Sequence, residues 1–398
     1  MATVLPFRAL RPVPEFAENV ASVPYDVVST DEARALAEGK LYSFLRVIRP
    51  EIGLPEGTDE HADRVYALGA ETLRRFAESD AFLIEDEPAF YVYRLVMDGR
   101  AQAGIFGLVS VDEYDDDTIL KHEKTRPDKE DDRTRHLVTQ RAHAEPVMLT
   151  YRGTPALDSL VEEAMAGEPL YAFTAADGVQ HALWRMPYPS AVQEAFAHVA
   201  NLYVADGHHR SAAASRAAKE LADNEDAQHF MAVLFPYEEM RILPYNRVIY
   251  DVPGGSQSFL ASLRERFTLG EHAPAEPAAP GHVSLYADGD WYGLELPETA
   301  RETVADSLDV ARLGEHVLEP LLGITDPRTD TNIGFVGGIR GTKELERLVD
   351  EGAADLAISM YPTQPEELLA VSDAGQLMPP KSTWFEPKLR SGLLVHQF

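Results

Sequence analysis

Hydrophobic and polar positions along the chain predict a succession of helices and strands. Residues Glu60 to Ser79 place their apolar side chains on one side of an amphipathic helix. Alternating or apolar segments flank Asp98-Gly99, a pair that is typical of a β-hairpin turn, and a second hairpin is predicted around Asp288-Gly289-Asp290. The apolar run Phe230 to Phe235 predicts a strand buried on both faces, and Tyr42 to Ile48 predicts another strand. These patterns predict an α/β fold (α+β) with mixed sheets.

One stretch, Asn201 to Ala214, predicts a strand, a glycine turn and a helix in direct succession. Leu202-Tyr203-Val204 is apolar, whereas Ser211 to Ala222 is rich in helix-forming alanine. Between them, after Ala205, lie Asp206, Gly207, His208, His209 and Arg210. They fall at or near a helix N-terminus, where backbone N–H groups and the helix dipole favour an anion. Gly207 would let the backbone approach a phosphate closely, and Arg210 would bind it with two hydrogen bonds. The alternative is a capped helix with partly buried histidines.

Length and composition limit the domain organisation and the function. The 398 residues suffice for two or three domains, and the break at Asp251 to Gly255 predicts an N-terminal α/β domain over 1–250 and a C-terminal one over 256–398. The absence of cysteine excludes disulfides, thiol chemistry and cysteine-ligated zinc. The net charge of −30 disfavours nonspecific binding to nucleic acid. Without a signal-peptide pattern or a long apolar window, we expect a cytoplasmic protein that does not span a membrane.

Five further polar clusters could carry chemistry. They contain Tyr25 and Asp26; Arg46; His122, Glu123 and Thr125; Thr325 to Asp330; and Lys381, Ser382 and Thr383. No cluster has the spacing of a strong metal site, and the Walker, dinucleotide and nucleophile-elbow motifs are missing from the sequence. A surplus of anion-binding groups beside candidate bases suits phosphoryl transfer. Four of these clusters have a structural alternative: an ion pair for Arg46, a solvated loop for residues 122–133, turn caps for Asp326 and Asp330, and a turn held by prolines for residues 381–383.

Five motifs in order along the chain resemble the domain of unknown function 1015 family. They are Pro24-Tyr25-Asp26-Val27, Phe44-Leu45-Arg46-Val47, His122-Glu123-Lys124-Thr125, Ala205-Asp206-Gly207-His208-His209-Arg210 and Met378-Pro379-Pro380-Lys381-Ser382-Thr383. The Asp-Gly-His-His-Arg motif is also similar to that of the free serine kinases in the ParB/sulfiredoxin-like superfamily. This resemblance implies a ParB/sulfiredoxin-like core in which the motif binds nucleotide phosphates and a glutamate elsewhere in the domain is the base. Sulfiredoxin activity is excluded, because it requires a cysteine.

The residues and the resemblance together predict a phosphotransferase. It would move a phosphoryl group from ATP, ADP or pyrophosphate, with Mg²⁺, to a small hydroxyl metabolite, free L-serine being favoured. The residues assigned to phosphate or nucleotide binding are Asp206, Gly207, His208, His209, Arg210, Lys381, Ser382 and Thr383. Those assigned to catalysis are Glu123, Asp26 and His209, with Glu123 or Asp26 as the base, and those assigned to the substrate are Tyr25, Arg46, His122 and Thr125. Two alternatives stay open: a phosphatase acting on a phosphorylated metabolite, and a nucleotide-dependent regulatory or DNA-binding protein of the ParB type.

Overall fold

The computed structural model describes residues 2–299 and 302–398, which form two compact units. Unit 1 comprises Met1–Lys121, Thr125–Met240 and Pro387–Phe398. Unit 2 comprises His122–Lys124 and Arg241–Glu386. The domain bounds expected from composition, 1–250 and 256–398, stay a prediction. None of the described helices combines the length and the apolar character needed to cross a membrane.

The strands of the described residues are numbered in chain order. They are β1 (Val4–Leu5), β2 (Leu10–Pro12), β3 (Phe82–Ile84), β4 (Tyr91–Met97), β5 (Arg100–Ser110), β6 (Ile119–Leu120), β7 (Ala142–His143), β8 (Val147–Tyr151), β9 (Tyr171–Thr174), β10 (Gln180–Arg185), β11 (Leu202–Asp206), β12 (His229–Pro236), β13 (Ile242–Leu243), β14 (Tyr245–Ile249), β15 (Leu269–Glu271), β16 (His282–Ala287), β17 (Asp290–Glu295), β18 (Ile333–Gly337), β19 (Leu356–Met360), β20 (Trp384–Phe385) and β21 (His396–Gln397).

The α-helices are numbered in the same way. They are α1 (Ala17–Val20), α2 (Thr30–Ala37), α3 (Leu45–Ile48), α4 (Asp63–Ala77), α5 (Val111–Asp115), α6 (Pro127–Gln140), α7 (Pro155–Met165), α8 (Pro189–Phe196), α9 (His208–Glu220), α10 (Ser256–Arg266), α11 (Asp309–Leu313), α12 (Glu319–Leu322), α13 (Gly341–Asp350) and α14 (Pro365–Asp373). A π-helical turn, Gly314–Leu318, joins α11 to α12. Short 3₁₀ turns cover Pro14–Phe16, Pro50–Gly53, Asp226–Gln228, Tyr237–Glu239, Ala305–Ser307 and Gly338–Arg340.

Unit 1 is built on a mixed sheet, in which β6, β11, β8, β12, β5, β4, β10 and β9 lie side by side and β1 pairs with β5. The β11–β6 and β12–β8 pairs are parallel, and the remaining pairs of this sheet are antiparallel. The hairpin predicted around Asp98-Gly99 is confirmed as β4 and β5. The predicted strand Phe230 to Phe235 is confirmed within β12, where all six side chains are buried. The predicted α/β class with mixed sheets is therefore confirmed.

The apolar core of unit 1 includes two buried clusters of the described residues. One lies on the large sheet and includes Leu149, Phe196 and Leu234, each with no exposed surface. The other joins α2, α3 and α4 and includes Phe44 and Val47. Burial of one such side chain contributes about 1.5–3 kcal/mol, so these clusters fix the framework that carries the polar residues described below.

Unit 2 has its own antiparallel sheet, in the order β15, β17, β16, β19, β14 and β18. The hairpin predicted around Asp288-Gly289-Asp290 is confirmed as β16 and β17. A separate apolar core, which includes Leu260, Leu285 and Ile358, packs helices against one face of this sheet. The β13–β20 ribbon also belongs to this unit.

Two segments differ from the elements that the hydrophobic pattern predicts. Tyr42 to Ile48 is not a strand but a turn followed by α3, in which Leu45, Val47 and Ile48 are buried. A short apolar run does not distinguish a strand from a buried helical turn, which explains this error. Part of the segment 122–133, for which the sequence left a solvated loop open, lies in α6, which begins at Pro127 and whose buried positions include charged residues.

Candidate functional site

The turn between β11 and α9 has the predicted order of strand, glycine and helix. The pairing of β11 with β8 shifts register between Val204 and Asp206, as at a β-bulge, and this changes the direction of the strand end. Gly207 is the N-cap of α9 and has φ +103°, a conformation that side chains other than glycine adopt with strain. Because the first N–H groups of a helix have no partner within the helix, this turn directs backbone donors and positive dipole potential beyond the start of α9.

The Arg210 side chain is fixed beside Gly207. It is 9% exposed, donates a hydrogen bond to the Pro146 carbonyl, and its Nη2 lies 3.7 Å from Asp206 Oδ1. A Cβ atom on Gly207 would lie only 3.0 Å from Arg210 Nε and 3.1 Å from Cζ. The lack of a side chain at position 207 therefore allows the guanidinium to lie against the N-cap of the helix.

Asp206 interacts with two cations. Its Oδ2 accepts a hydrogen bond of 3.0 Å from the Lys388 ammonium, and Arg210 approaches its other oxygen. Burial alone would raise the pKa of Asp206, but the Lys388 and Arg210 charges outweigh burial and lower that pKa well below its ordinary value. Asp206 is therefore an anchor for the two cations at neutral pH. Sequence analysis missed Lys388, which carries no local signal because it lies 182 residues away in the chain.

A buried glutamate, Glu145, lies next to Arg210 in the charge network. Its Oε1 accepts a hydrogen bond of 3.1 Å from the Tyr25 N–H, and its Oε2 lies 3.4 Å from Arg133 Nη1. Burial raises the pKa of Glu145, although Arg133 and Arg210 oppose this effect. The Arg133 guanidinium also lies 3.8 Å from the centre of the Tyr25 ring. Glu145 was missed by sequence analysis, and its only signal is an acid placed two residues before a buried strand.

A cavity of about 30 Å³ adjoins this carboxylate. Its lining residues are Ile48, Arg133, His136, Leu137, Gln140, Ala142, His143, Ala144, Glu145, Val147 and Arg210. The space suffices for about two water molecules, and several charged and polar side chains surround it. A small polar group could thus approach Glu145 and Arg210 within unit 1.

Asp132 continues the charge network on α6. Its Oδ1 accepts a hydrogen bond of 2.8 Å from the Tyr66 hydroxyl, and its Oδ2 accepts two from Arg133, at 2.9 and 2.6 Å. Burial opposes ionisation of Asp132, but the Arg133 charge outweighs burial and lowers the pKa to about 2. Arg133 is therefore held between two carboxylates, Asp132 and Glu145.

The remaining predicted site residues of unit 1 have different surroundings. Asp26 is exposed, and its charge raises the pKa values of both Glu145 and Arg210, which places it near them. Tyr25 is buried, and burial together with the Asp26 charge raises the pKa of its hydroxyl. Arg46 donates hydrogen bonds to the Ala37 carbonyl at 2.9 Å and to the Lys40 carbonyl at 3.2 Å. Both acceptors are backbone carbonyls, and the substrate role predicted for Arg46 stays a prediction.

The histidines of the motif lie in the first turn of α9. His209 Nε2 accepts a hydrogen bond of 3.1 Å from the Arg126 N–H, so the acceptor nitrogen of this ring faces the start of α6. His208 is buried, with 5% of its surface exposed. The Thr125 hydroxyl hydrogen-bonds to Glu130. The hydrogen bond between Arg126 and His209 therefore links the first turn of α9 to the start of α6.

The other predicted site residues, His122, Glu123, Lys381, Ser382 and Thr383, belong to unit 2. Two of the predicted motifs meet there, because the His122 carbonyl accepts a hydrogen bond of 2.8 Å from the Met378 N–H. The Ser382 hydroxyl donates to the Pro379 carbonyl at 2.7 Å, and the Ser382 carbonyl accepts from the Thr363 hydroxyl at 2.8 Å. The residues 381–383 therefore form an ordered loop within unit 2.

Comparisons with known proteins give one family and several solved structures. A profile described as "Protein of unknown function (DUF1015)" matches residues 4–311. A free serine kinase variant in complex with AMP has a TM-score of 0.38 and 12% identity, and the match covers 73% of this chain and 92% of that chain. A conserved hypothetical protein from Pyrococcus furiosus has a TM-score of 0.38 and 14% identity, over 73% of this chain and 94% of that one. C-terminally truncated SbnI from Staphylococcus aureus has a TM-score of 0.38 and 15% identity, over 73% and 87%. No curated protein sequence matches the chain.

Proposed function

This chain belongs to the DUF1015 family, and we propose that it is a phosphotransferase that moves a phosphoryl group from a nucleotide or pyrophosphate to a small hydroxyl compound, free L-serine being the favoured acceptor. The observation that carries the proposal is the β11–Gly207–α9 turn, which combines a helix N-terminus with the fixed guanidinium of Arg210. Catalysis of phosphoryl transfer consists mainly of positioning and charge stabilisation. This turn supplies both within unit 1.

The phosphates of the donor would bind the backbone N–H groups in the first turn of α9. Arg210 would add a positive charge at the same place, since its guanidinium lies against Gly207. Lys388 shares the negative charge of Asp206, which leaves part of the Arg210 charge available to a phosphate. His209, in the same helical turn, would orient the donor.

The proton of the acceptor hydroxyl would pass to Asp26, because this exposed carboxylate lies near Arg210 and Glu145. The other carboxylates of the network interact with arginine or lysine. Mg²⁺ would therefore be held chiefly by the phosphates of the donor, as is usual for this ion, and would neutralise their charge. Glu123, the other predicted base, stays a prediction that its own variant tests.

The proposal is tested by incubating the chain with L-serine, Mg²⁺ and either ATP, ADP or pyrophosphate, with ³¹P NMR detection of O-phosphoserine. Arg210→Ala is expected to lower turnover by roughly 10²–10³-fold, the loss typical of one group that stabilises transition-state charge. The matched control is Arg75→Ala, which removes an exposed arginine from α4 and should leave turnover unchanged. No phosphoserine from any donor, or equal rates in the Arg210 and Arg75 variants, would refute the proposal.

The identity of the base is tested by Asp26→Asn and Glu123→Gln. Loss of a general base removes the rise of kcat with pH and typically costs 10²–10⁴-fold, whereas a group that only contacts substrate changes KM. We expect the first pattern for Asp26→Asn. If Asp26→Asn keeps the wild-type pH profile while Glu123→Gln loses it, Glu123 is the base.

A further inference from the structure

The turn that carries Asp26 is held through its backbone by two charged side chains of unit 1. The Tyr25 N–H donates a hydrogen bond of 3.1 Å to Glu145 Oε1. The Tyr25 carbonyl accepts one of 2.9 Å from Arg49 Nη1. The peptide groups on both sides of Tyr25 are thereby fixed, and the second of them leads directly to Asp26, so the place of its carboxylate depends on these bonds.

Arg49 anchors the end of this turn independently of Glu145. Its Nη1 also donates to the Val28 carbonyl at 3.0 Å, so that one guanidinium binds the backbone on both sides of Asp26. Its Nε lies 2.5 Å from Glu51 Oε1, and the two side chains are only 12% and 6% exposed. Hydrogen bonds of ionised groups are the stronger ones in proteins, which holds this half of the turn in place. The bond of the other half, at the Tyr25 N–H, is made by Glu145.

Glu145 and the next residue, Pro146, connect this turn to Arg210. The Glu145 carboxylate accepts the hydrogen bond from the Tyr25 N–H, whereas the Pro146 carbonyl accepts one from the Arg210 guanidinium. Glu145 and Arg210 also line the same cavity. Two adjacent residues therefore contact both the turn with the proposed base and the guanidinium assigned to the phosphate.

The connection through Glu145 and Pro146 is built on a rigid element of the fold. The pyrrolidine ring of Pro146 fixes its φ, and Pro146 leads directly into β8, whose five residues are all buried. In the large sheet β8 lies beside β11, the strand that ends at the turn before α9. The Glu145 carboxylate is restrained as well, because its Oε2 lies 3.4 Å from Arg133 Nη1 and its side chain is 7% exposed. The bond between Tyr25 and Glu145 thus ties the turn to the framework that carries Arg210.

We propose that Glu145 is a positioning residue, whose bond to the Tyr25 N–H sets the distance from the Asp26 carboxylate to the Arg210 guanidinium. The inference rests on the proposed phosphotransferase function, in which Asp26 takes the proton of the acceptor hydroxyl and Arg210 binds the phosphate. Both groups have to act at the same reacting centre, and a misplacement of about 1 Å can lower a rate about 10²-fold. Glu145 acts through Asp26 and does not itself contact the substrate.

The kinetic test compares Glu145→Met, which fills the space without an acceptor, with Glu145→Gln, whose amide oxygen can accept the Tyr25 N–H. In the L-serine assay, Glu145→Met should lower kcat by about 10-fold or more. The donor KM should not change, because Arg210 keeps its bond to the Pro146 carbonyl. Glu145→Gln should recover most of the loss in kcat. In an Asp26→Asn background, Glu145→Met should cause no further loss, because it acts through Asp26.

Glu85→Met is the matched control, since it removes a carboxylate that is paired with Arg11 and is 11% exposed. It should leave kcat unchanged. If Glu145→Met does not fold, Glu145→Asp takes its place with the same expectation, because it keeps the charge but withdraws the carboxylate by one methylene. A wild-type kcat in the folded variant, or the full loss repeated in the Asp26→Asn background, would overturn the proposal.

Hydrogen exchange separates this inference from the proposed function, because it needs no substrate. Exchange of the Tyr25 amide is measured by mass spectrometry with electron-transfer fragmentation, relative to the amides of β12, which report on global unfolding. It should be faster by about 10-fold in Glu145→Met and close to the wild-type rate in Glu145→Gln. If the wild type makes no phosphoserine but exchange shows this pattern, the proposed function fails and the role of Glu145 in holding the turn stands. If phosphoserine is made but exchange of the Tyr25 amide is unchanged in Glu145→Met, the proposed function stands and the inference fails.

Discussion

Replacement of Gly207 by alanine is expected to disturb both the backbone and Arg210. A non-glycine residue in the left-handed region costs roughly 1–2 kcal/mol. In addition, the new Cβ atom would lie 3.0 Å from Arg210 Nε, so the guanidinium has to move away from the helix N-terminus. Its hydrogen bond to the Pro146 carbonyl would weaken, and hydrogen bonds of charged groups contribute about 1.5–3 kcal/mol. The free energy of unfolding should therefore fall by about 2–4 kcal/mol.

Gly99→Ala separates the two effects. Gly99 has φ +78° in the turn between β4 and β5, and a Cβ atom there meets no other atom within 4 Å. This control should lose only the conformational part, roughly 1–2 kcal/mol. Urea unfolding at pH 7 measures both losses, and the thermal shift produced by pyrophosphate reports on the unit 1 site. Equal losses of stability with an unchanged thermal shift in Gly207→Ala would refute the role given to Gly207.

Three further changes test the framework and the charges. Gly104→Ala would put a Cβ atom 2.7 Å from the Phe235 ring in the centre of the sheet, and we expect a loss of about 1–3 kcal/mol in urea unfolding; no loss would contradict this packing. Burial, and to a smaller extent the Arg390 charge, lowers the pKa of His181 to about 3. The free energy of unfolding should therefore fall as pH falls from 6.5 towards 3, by up to about 1.4 kcal/mol per pH unit. In His181→Gln the free energy of unfolding should depend less on pH over this range. The same pH dependence as in the wild type would refute this role of His181. Lys388→Met should cost about 1–3 kcal/mol at pH 7. The cost should shrink as pH falls below 3.8, because Asp206 is then protonated in the unfolded chain and, only at still lower pH, in the folded chain, where its pKa is depressed; a cost that does not depend on pH would refute this.

The local part of the candidate site could be predicted from the sequence. Apolar residues, a glycine and an alanine-rich helix follow one another within residues 201–214, and the structure has β11, Gly207 and α9 in that order. The roles of these residues in binding stay a prediction. Elements that depend on contacts between neighbours in the chain leave a pattern that can be recognised, and both predicted hairpins belong to this class.

The rest of the network depends on contacts between distant residues, which leave no local pattern. Helix α6 has buried positions that are polar, including Asp132, Arg133 and His136. These side chains can be buried because Arg133 forms ion pairs with Asp132 and with Glu145, which lies beyond the end of the helix. A hydrophobic period was therefore absent where the helix begins, and the segment resembled a solvated loop. Glu145 and Lys388 were missed for the same reason.

The placement of Lys388 has a consequence for the order in which the chain can fold. Residues 387–398 complete unit 1, yet residues 241–386 of unit 2 precede them in the chain. During synthesis at 5–20 residues per second, the ribosome needs about 10–40 s to advance the 182 residues from Asp206 to Lys388. Throughout this time a nascent unit 1 lacks the ammonium that neutralises Asp206, and β7 lacks its partner β21. A newly made chain therefore acquires the charge balance around Asp206 only after residues 241–386 have been synthesised.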